Sequence, residues 1–100
     1  MKVIADFCIV PIGVGVSLSP YVAKAVDAFA AAGLEVQTHA YGTNVSGEYD
    51  EVFAALKAAL EDIHAMGAPR VTCTIKLGTR TDRDQSMQDK IDSVAKKRGQ

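Results

Sequence analysis

Apolar and polar residues alternate along four short segments of the chain, and this alternation is typical of strands that bury one face. The first segment is rich in Val, Ile and Phe and ends at Pro11 and Gly13, as expected for a central strand. The predicted strands span residues 3–12, 35–41, about 43–48 and 70–78. Gly42-Thr43 is the predicted tight turn between the second and third strands.

Three other segments carry apolar residues at helical spacing. Ser19-Pro20 is typical of a helix start, because Ser accepts from free backbone N–H groups and Pro lacks only a donor that the first turn does not need. Gly33 predicts the end of this helix. A second helix is predicted over about residues 50–66, and a third after Ser86, where Asp89 completes a capping box.

The predicted order of elements is β-α-β-β-α-β with an additional C-terminal helix. This order is the split βαβ, or ferredoxin-like, arrangement of the α+β class, with a four-stranded antiparallel sheet. Strands one and three occupy the middle of such a sheet, and strands two and four occupy its edges. The length of 100 residues predicts one domain, residues 1–100.

Charge and composition restrict the classes of partner. A net charge of −1, from 11 basic and 12 acidic residues, gives no basic surface for a nucleic-acid backbone. No apolar run approaches the length of a membrane span, and the N-terminus lacks the features of a secretory signal. Cys8 and Cys73 lie in apolar surroundings without CxxC pairing, which indicates reduced thiols in a cytoplasmic protein.

Both main helices of this fold cover one face of the sheet, so the other face is open unless a partner covers it. Alternation predicts which residues lie on this open face. They are Ile4, Asp6, Cys8, Val10, Gln37, His39, Tyr41, Asn44, Ser46, Glu48, Thr72, Thr74 and Lys76. The mixture of apolar and charged side chains predicts a contact between subunits with a small polar pocket beside it.

Residues 40–52, AYGTNVSGEYDEV, place several polar side chains where strand two passes to strand three. We expect side chains from the turn and from the third strand to converge there. These are Tyr41, Thr43, Asn44, Ser46 and Glu48.

Structural roles compete with ligand binding at several of these positions. Glu48 is equally suited to the start of the second helix, where the dipole favours a carboxylate. Asp6 could pair with Lys76 on the neighbouring strand, since an unpaired buried carboxylate is costly. Ser19 fits a helix cap, and His39 fits a surface or interface position better than a metal site.

The chain resembles the small thiamine-binding proteins related to hydroxymethylpyrimidine/thiamine-binding domains. The resemblance rests on VIADFCIVPIGVG, SLSPYVA, YGTNVSGEYDEV and RVTCTIKLGTRTD followed by SMQDKIDSV, in this order over nearly the whole chain. It implies binding of thiamine or its hydroxymethylpyrimidine precursor without catalysis. It also implies homodimers that associate into tetramers, a dimer of dimers, through sheets and C-terminal helices.

The chemistry of these residues suits such a ligand. A thiazolium cation favours a carboxylate, here Glu48 or Asp6, and an aromatic face such as Tyr41. Hydroxyls of Thr43 and Ser46 could satisfy an aminopyrimidine. The full set of predicted ligand-binding residues is Asp6, Ser19, His39, Tyr41, Gly42, Thr43, Asn44, Ser46, Glu48 and Lys76. Neither a catalytic residue, a metal nor a cofactor is predicted.

Other classes that use this fold fit less well. A metal chaperone needs paired cysteines, an RNA-binding module needs aromatic residues across the central strands, and an acylphosphatase needs an arginine loop after strand one. The remaining alternative is a homo-oligomeric regulatory or structural module that binds another small metabolite or an anion.

Overall fold

The computed structural model describes residues 1–99, which form four strands and three helices. The strands are β1 (Lys2–Ile12), β2 (Glu35–His39), β3 (Gly42–Glu48) and β4 (Arg70–Thr79). The helices are α1 (Ser19–Ala31), α2 (Tyr49–Ala65) and α3 (Met87–Lys97). The order βαββαβ with a C-terminal helix confirms the predicted α+β class.

The four strands form one antiparallel sheet in the order β2-β3-β1-β4. The prediction that the first and third strands lie in the middle is therefore confirmed. In the register of this sheet, Asp6 on β1 lies opposite Asn44 on β3 and opposite Lys76 on β4. Directly opposite residues share a face, so these three side chains belong to the same side of the sheet.

The core lies between the sheet and the helices α1 and α2. Alternate residues of β1 are buried in it, namely Val3, Ala5, Phe7 and Ile9. Phe7 stacks on Phe29 of α1 with ring centroids 5.4 Å apart, and the edge of Phe53 of α2 completes the aromatic cluster. Rings packed in this way contribute about 0.5–1.5 kcal/mol per pair beyond their buried area.

The opposite face of the sheet is open, and the intervening residues of β1 are half-buried on it. The predicted facing of Asp6 and Cys8 is thus confirmed. Ile75 and Leu77 share the helix face by register, as predicted, but they remain 43% and 40% exposed. The free thiols Cys8 and Cys73 lie on opposite faces.

Two local predictions were wrong. The turn between β2 and β3 consists of Ala40 and Tyr41, because β2 ends at His39 and β3 already begins at Gly42. Leu18 is the N-cap of α1, and no side chain among residues 1–99 caps this end, so Ser19 is the first helical residue and not the cap.

The third helix begins at a complete capping box, as predicted. The Ser86 hydroxyl accepts from the Asp89 N–H, and the Asp89 carboxylate accepts from the Ser86 N–H, both at 3.0 Å. Met87 is buried, but α3 otherwise packs only lightly on the domain, and Ile91 and Val94 are exposed. Within residues 1–99, no helix combines the length and the apolar character that crossing a bilayer requires.

Candidate functional site

A cleft of about 770 Å³ opens between α1 and the turn that joins β2 to β3. Sites for small organic ligands typically have volumes of roughly 300–1,000 Å³, so this space suits a small metabolite. We call it the hairpin cleft. His39, Ala40, Tyr41 and Gly42 form its wall on the sheet side, and Val22 and Val26 of α1 line the other wall.

A polar cluster lies on the open face of the sheet, across the sheet from the helix-side wall of this cleft, and His39 belongs to both. The Asp6 carboxylate is its centre, and a single oxygen, Oδ1, makes both of its contacts within residues 1–99. His39 Nε2 lies 2.6 Å from this oxygen, and the Asn44 side-chain amide donates to it at 3.2 Å. Oδ2 is thereby left to accept a hydrogen bond from a ligand, and the Asp6 side chain is 34% exposed.

The contacts of the His39 ring define its tautomer. The Tyr41 N–H donates to Nδ1 at 3.4 Å, so this nitrogen acts as the acceptor. The proton of a neutral ring then lies on Nε2 and is donated to Asp6. His39 is therefore held in place at both nitrogens, and it in turn orients the carboxylate.

Gly42 provides the space in which this pair forms. A Cβ atom at this position would lie 2.9 Å from the Phe7 carbonyl oxygen and 3.2 Å from both Asp6 Oδ1 and His39 Cε1. Because β3 lies between β1 and β2, any larger residue at position 42 would obstruct the path from His39 to Asp6. The glycine thus serves close packing and not the turn for which it was predicted.

The predicted ion pair between Asp6 and Lys76 is not formed within residues 1–99. Lys76 lies opposite Asp6 in the register, but its side chain is exposed and the carboxylate contacts His39 instead. At such an open position the lysine ammonium stays hydrated by water. The two residues therefore lie opposite each other on neighbouring strands without forming an ion pair.

The structure brings most of the predicted ligand-binding residues to one place. Five line the hairpin cleft directly, namely Ser19, His39, Tyr41, Gly42 and Thr43. Asp6 and Asn44 adjoin them through the polar cluster. Thr43 approaches the cleft from the helix face, where it is buried, and Tyr41 stands at the tip of the turn with 87% of its surface exposed.

Three predicted residues lie outside this group: Lys76, described above, and Ser46 and Glu48. Ser46 is buried, and its hydroxyl donates to the Val3 carbonyl oxygen at 3.1 Å. Glu48 lies at the far end of β3, four residues from Asn44 and thus about 13 Å along the strand. Its carboxylate contacts the N-terminal ammonium of Met1 at 3.0 Å. The expected convergence of Glu48 with Tyr41 was therefore wrong within one chain.

Sequence reasoning missed the apolar wall of the cleft. Val22 and Val26 share the helical spacing of Phe29, and this spacing predicts all three on the helix face that packs on the core. In the structure Phe29 is fully buried, whereas the two valines are half-buried and line the cleft. The valines differ from Phe29 because they face the β2–β3 turn across the cleft. Helical periodicity gives no information about the position of that turn. Within residues 1–99, no group of three His, Cys, Asp or Glu side chains is placed to hold a metal ion.

Comparisons with known proteins agree with this architecture. The UPF0045 protein sll0230 of Synechocystis is 56% identical over 94 residues, which cover 94% of this chain and 78% of that protein. The crystal structure of the hypothetical protein MJ1052 of Methanocaldococcus jannaschii has a TM-score of 0.86 at 34% identity and covers 94% of this chain and 96% of its own.

A more distant structure shows the same fold. It is that of a candidate thiamine biosynthesis/salvage protein of Thermotoga maritima, with a TM-score of 0.81 at 17% identity, covering 94% of this chain and 99% of that one. A family model described as "Thiamine-binding protein" matches residues 5–95. Since this match includes nearly every element from β1 to α3, the chain belongs to the thiamine-binding protein family.

Proposed function

We propose that the protein binds thiamine or its hydroxymethylpyrimidine precursor at the rim of the hairpin cleft, next to the polar cluster of the open face, without catalysing a reaction. The observation that supports this most directly is the orientation of the Asp6 carboxylate on the open face: His39, which also lines the cleft, and Asn44 both engage Oδ1, and the Asp6 side chain stays 34% exposed. The family to which the chain belongs and the name of the Thermotoga neighbour favour the same ligand class.

The ligand has two chemical features that the residues at this rim match. An aminopyrimidine donates through its amino group, and an oriented carboxylate such as Asp6 is a strong acceptor for it. A thiazolium cation gains from the same negative charge and from the exposed ring of Tyr41.

The contacts of His39 favour binding over catalysis. Both ring nitrogens are engaged, Nε2 with Asp6 and Nδ1 with the Tyr41 N–H. The ring therefore has no nitrogen available to remove a proton from a nucleophile. Its role in this proposal is to position the carboxylate.

The proposal includes a homo-oligomer, a dimer of dimers, with the cleft near a subunit interface. Exposed apolar side chains on α3 and on the β4 edge support it, because they offer surface for a second copy to bury. A cytoplasmic location is also part of the proposal. Two unpaired thiols suit a reducing compartment, and burial, followed by the proximity of Cys8, raises the pKa of Cys73, which keeps that thiol protonated.

Calorimetric titration with thiamine, hydroxymethylpyrimidine and a set of small amino acids tests the ligand. We expect Asp6→Asn to weaken thiamine binding roughly tenfold to a hundredfold, since it removes a charge-assisted contact of about 1.5–3 kcal/mol. Glu48→Gln is the matched control and should change the affinity less than about twofold, because Glu48 lies away from the cleft.

The comparison of the two ligands separates charge from hydrogen bonding. If Asp6 faces the thiazolium cation, Asp6→Asn weakens the binding of thiamine more than it weakens the binding of the neutral pyrimidine. Absence of binding by both ligands to the unmodified protein would overturn the proposal. A larger loss with Glu48→Gln than with Asp6→Asn would overturn the assignment of the site to this cleft.

A further inference from the structure

A second, smaller pocket lies at the opposite end of β1 from the polar cluster. Its volume is about 110 Å³, and it is enclosed by the start of β1, the end of β4, the connection that follows β4 and the first turn of α3. It shares no lining residue with the hairpin cleft. From Lys2 to Phe7 the strand advances about 16 Å, so the two spaces are separate.

Most of the charged side chains that line this pocket are cationic. Four of them line it, one from β1, two from the connection and one from α3, namely Lys2, Arg80, Arg83 and Lys90. One carboxylate, Asp84, lines it as well. We call this space the basic pocket. Because cations from three separate segments meet in one concave space, the fold concentrates positive charge there.

Arg80 is held in a fixed orientation at the pocket wall. Its Nε and Nη2 atoms donate to the two oxygens of Asp82 at 2.6 and 2.9 Å, and Nη1 donates to Gln85 at 2.8 Å. A guanidinium has five N–H donors, so two remain for a ligand. An arginine whose side chain is already ordered loses less conformational entropy when it binds an anion.

The other three cations have no carboxylate within 4.0 Å in the part of the chain that the structure describes, residues 1–99. Asp89 is engaged by the Ser86 N–H in the capping box. Its pKa is lowered by that contact first, and further by the positive charges of Arg83 and Lys2. Both cations line the pocket together with Lys90 of α3. The four cations of the pocket face the three carboxylates of Asp82, Asp84 and Asp89, so one positive charge is in excess.

We propose that the basic pocket binds a phosphate-sized oxyanion, as a second site independent of the hairpin cleft. Its volume of about 110 Å³ suits a small tetrahedral anion. The oriented Arg80 contributes directed donors, while Lys2, Arg83 and Lys90 contribute charge. The chemistry is the same whether the phosphate is free or is esterified to a small metabolite.

Free phosphate and an esterified phosphate are distinguished by titrations in which amide chemical shifts are measured in NMR spectra. The unmodified protein is titrated separately with inorganic phosphate, with glycerol phosphate as a simple monoester, and with sodium chloride at matched ionic strength. We expect saturable shifts around Thr79, Arg83 and Lys90 with both phosphates. Equal affinities indicate recognition of the phosphate group alone, and tighter binding of the monoester indicates an esterified ligand.

Charge-removing variants assign the binding to this pocket. Arg83→Gln and Lys90→Gln should each weaken phosphate binding roughly tenfold, since each removes one charge-assisted contact. Lys57→Gln, at an exposed lysine of α2, is the matched control and should change the affinity less than twofold. Thiamine affinity should be unchanged in all three variants, so this outcome does not depend on the proposed function.

Two results would overturn the proposal. One is that chloride produces the same shifts as phosphate, which would indicate general screening of a solvated loop. The other is that Lys57→Gln weakens binding as much as Arg83→Gln and Lys90→Gln do. Circular dichroism of each variant verifies that the fold is retained.

Discussion

His39 reaches across an entire strand to place its Nε2 atom 2.6 Å from Oδ1 of Asp6. His39 lies on β2 and Asp6 on β1, and β3 runs between them. Since neighbouring strands lie about 4.8 Å apart, side chains two strands apart seldom meet. They meet here because the residue between them, opposite His39 in the register, is Gly42.

We expect Gly42→Ala to destabilise the protein by about 1–3 kcal/mol. The added methyl group would lie 2.9 Å from the backbone oxygen of Phe7 and would press on both members of the Asp6–His39 pair. Denaturant unfolding measures the loss of stability. The His39 ring resonances in NMR spectra should shift in the same variant, because the contact with Asp6 is displaced.

Gly78→Ala is the matched control, because it places the same methyl group on a strand of the same sheet. A Cβ atom there meets nothing closer than the Ile4 carbonyl oxygen at 3.8 Å, an ordinary contact. The expected change is within about 0.5 kcal/mol or slightly stabilising. Equal destabilisation by the two substitutions would show that the space at Gly42 has no special importance.

The Asp6–His39 pair itself should contribute little to stability. Its side chains are 34% and 38% exposed, and ion pairs with such access to water contribute about 0–1 kcal/mol. A double-mutant cycle with Asp6→Asn and His39→Gln, followed by urea denaturation, measures the coupling. A coupling free energy above about 2 kcal/mol would contradict this expectation and would make the pair a structural element.

The facing of β1 could be predicted from the sequence because one physical rule determines it. A strand with one buried face must place every second residue in the core, and the apolar positions of residues 3–12 allow one suitable phase. Asp6 was therefore assigned to the open face without knowledge of any partner. The strand order followed in the same way from the order of elements.

The contacts of Asp6 could not be predicted, because they depend on distance across the sheet. The ladder suggested Lys76, which is directly opposite. The observed partner, His39, requires both a missing side chain at Gly42 and a turn at Ala40-Tyr41. Glycine in a sequence usually indicates a turn, and seldom a position left empty for another side chain. Gly42 was therefore assigned to the turn, which placed the predicted turn two residues too late.

Arg80 controls the protonation of Asp82 in the connection after β4. The bidentate contact with Arg80 lowers the pKa of Asp82 from 3.8 to about 2. Because the pKa is lower in the folded protein, the stabilising contribution is complete above pH 3.8 and is lost as the pH falls through 2. We expect Arg80→Gln to raise the Asp82 pKa toward 3.8, as measured by carboxyl ¹³C shifts during an acid titration.

Arg83→Gln provides the comparison for this titration. Arg83 acts on Asp82 through charge alone and less strongly than the contacts with Arg80, so its removal should raise the Asp82 pKa by a smaller amount. A rise equal to that in Arg80→Gln would show that general positive charge, and not the paired hydrogen bonds, maintains the low pKa.

The exposed apolar face of α3 provides a test of the proposed homo-oligomer. Met87, Ile91 and Val94 recur at helical spacing, yet Ile91 is 43% and Val94 62% exposed, while Met87 is buried. Replacing Ile91 and Val94 together by Glu should prevent burial of this face against a second copy. We expect light scattering after size exclusion to give four chains of 10.6 kDa for the unmodified protein and fewer for the variant.

Lys96→Glu is the matched control, because position 96 lies about 180° around the helix from the centre of this apolar face and also gains a negative charge. It should leave the measured mass unchanged, since its surface is not buried in the proposed interface. A single chain of 10.6 kDa for the unmodified protein would contradict the homo-oligomer. An equal loss of mass in the control would indicate that charge, and not burial of Ile91 and Val94, determines assembly.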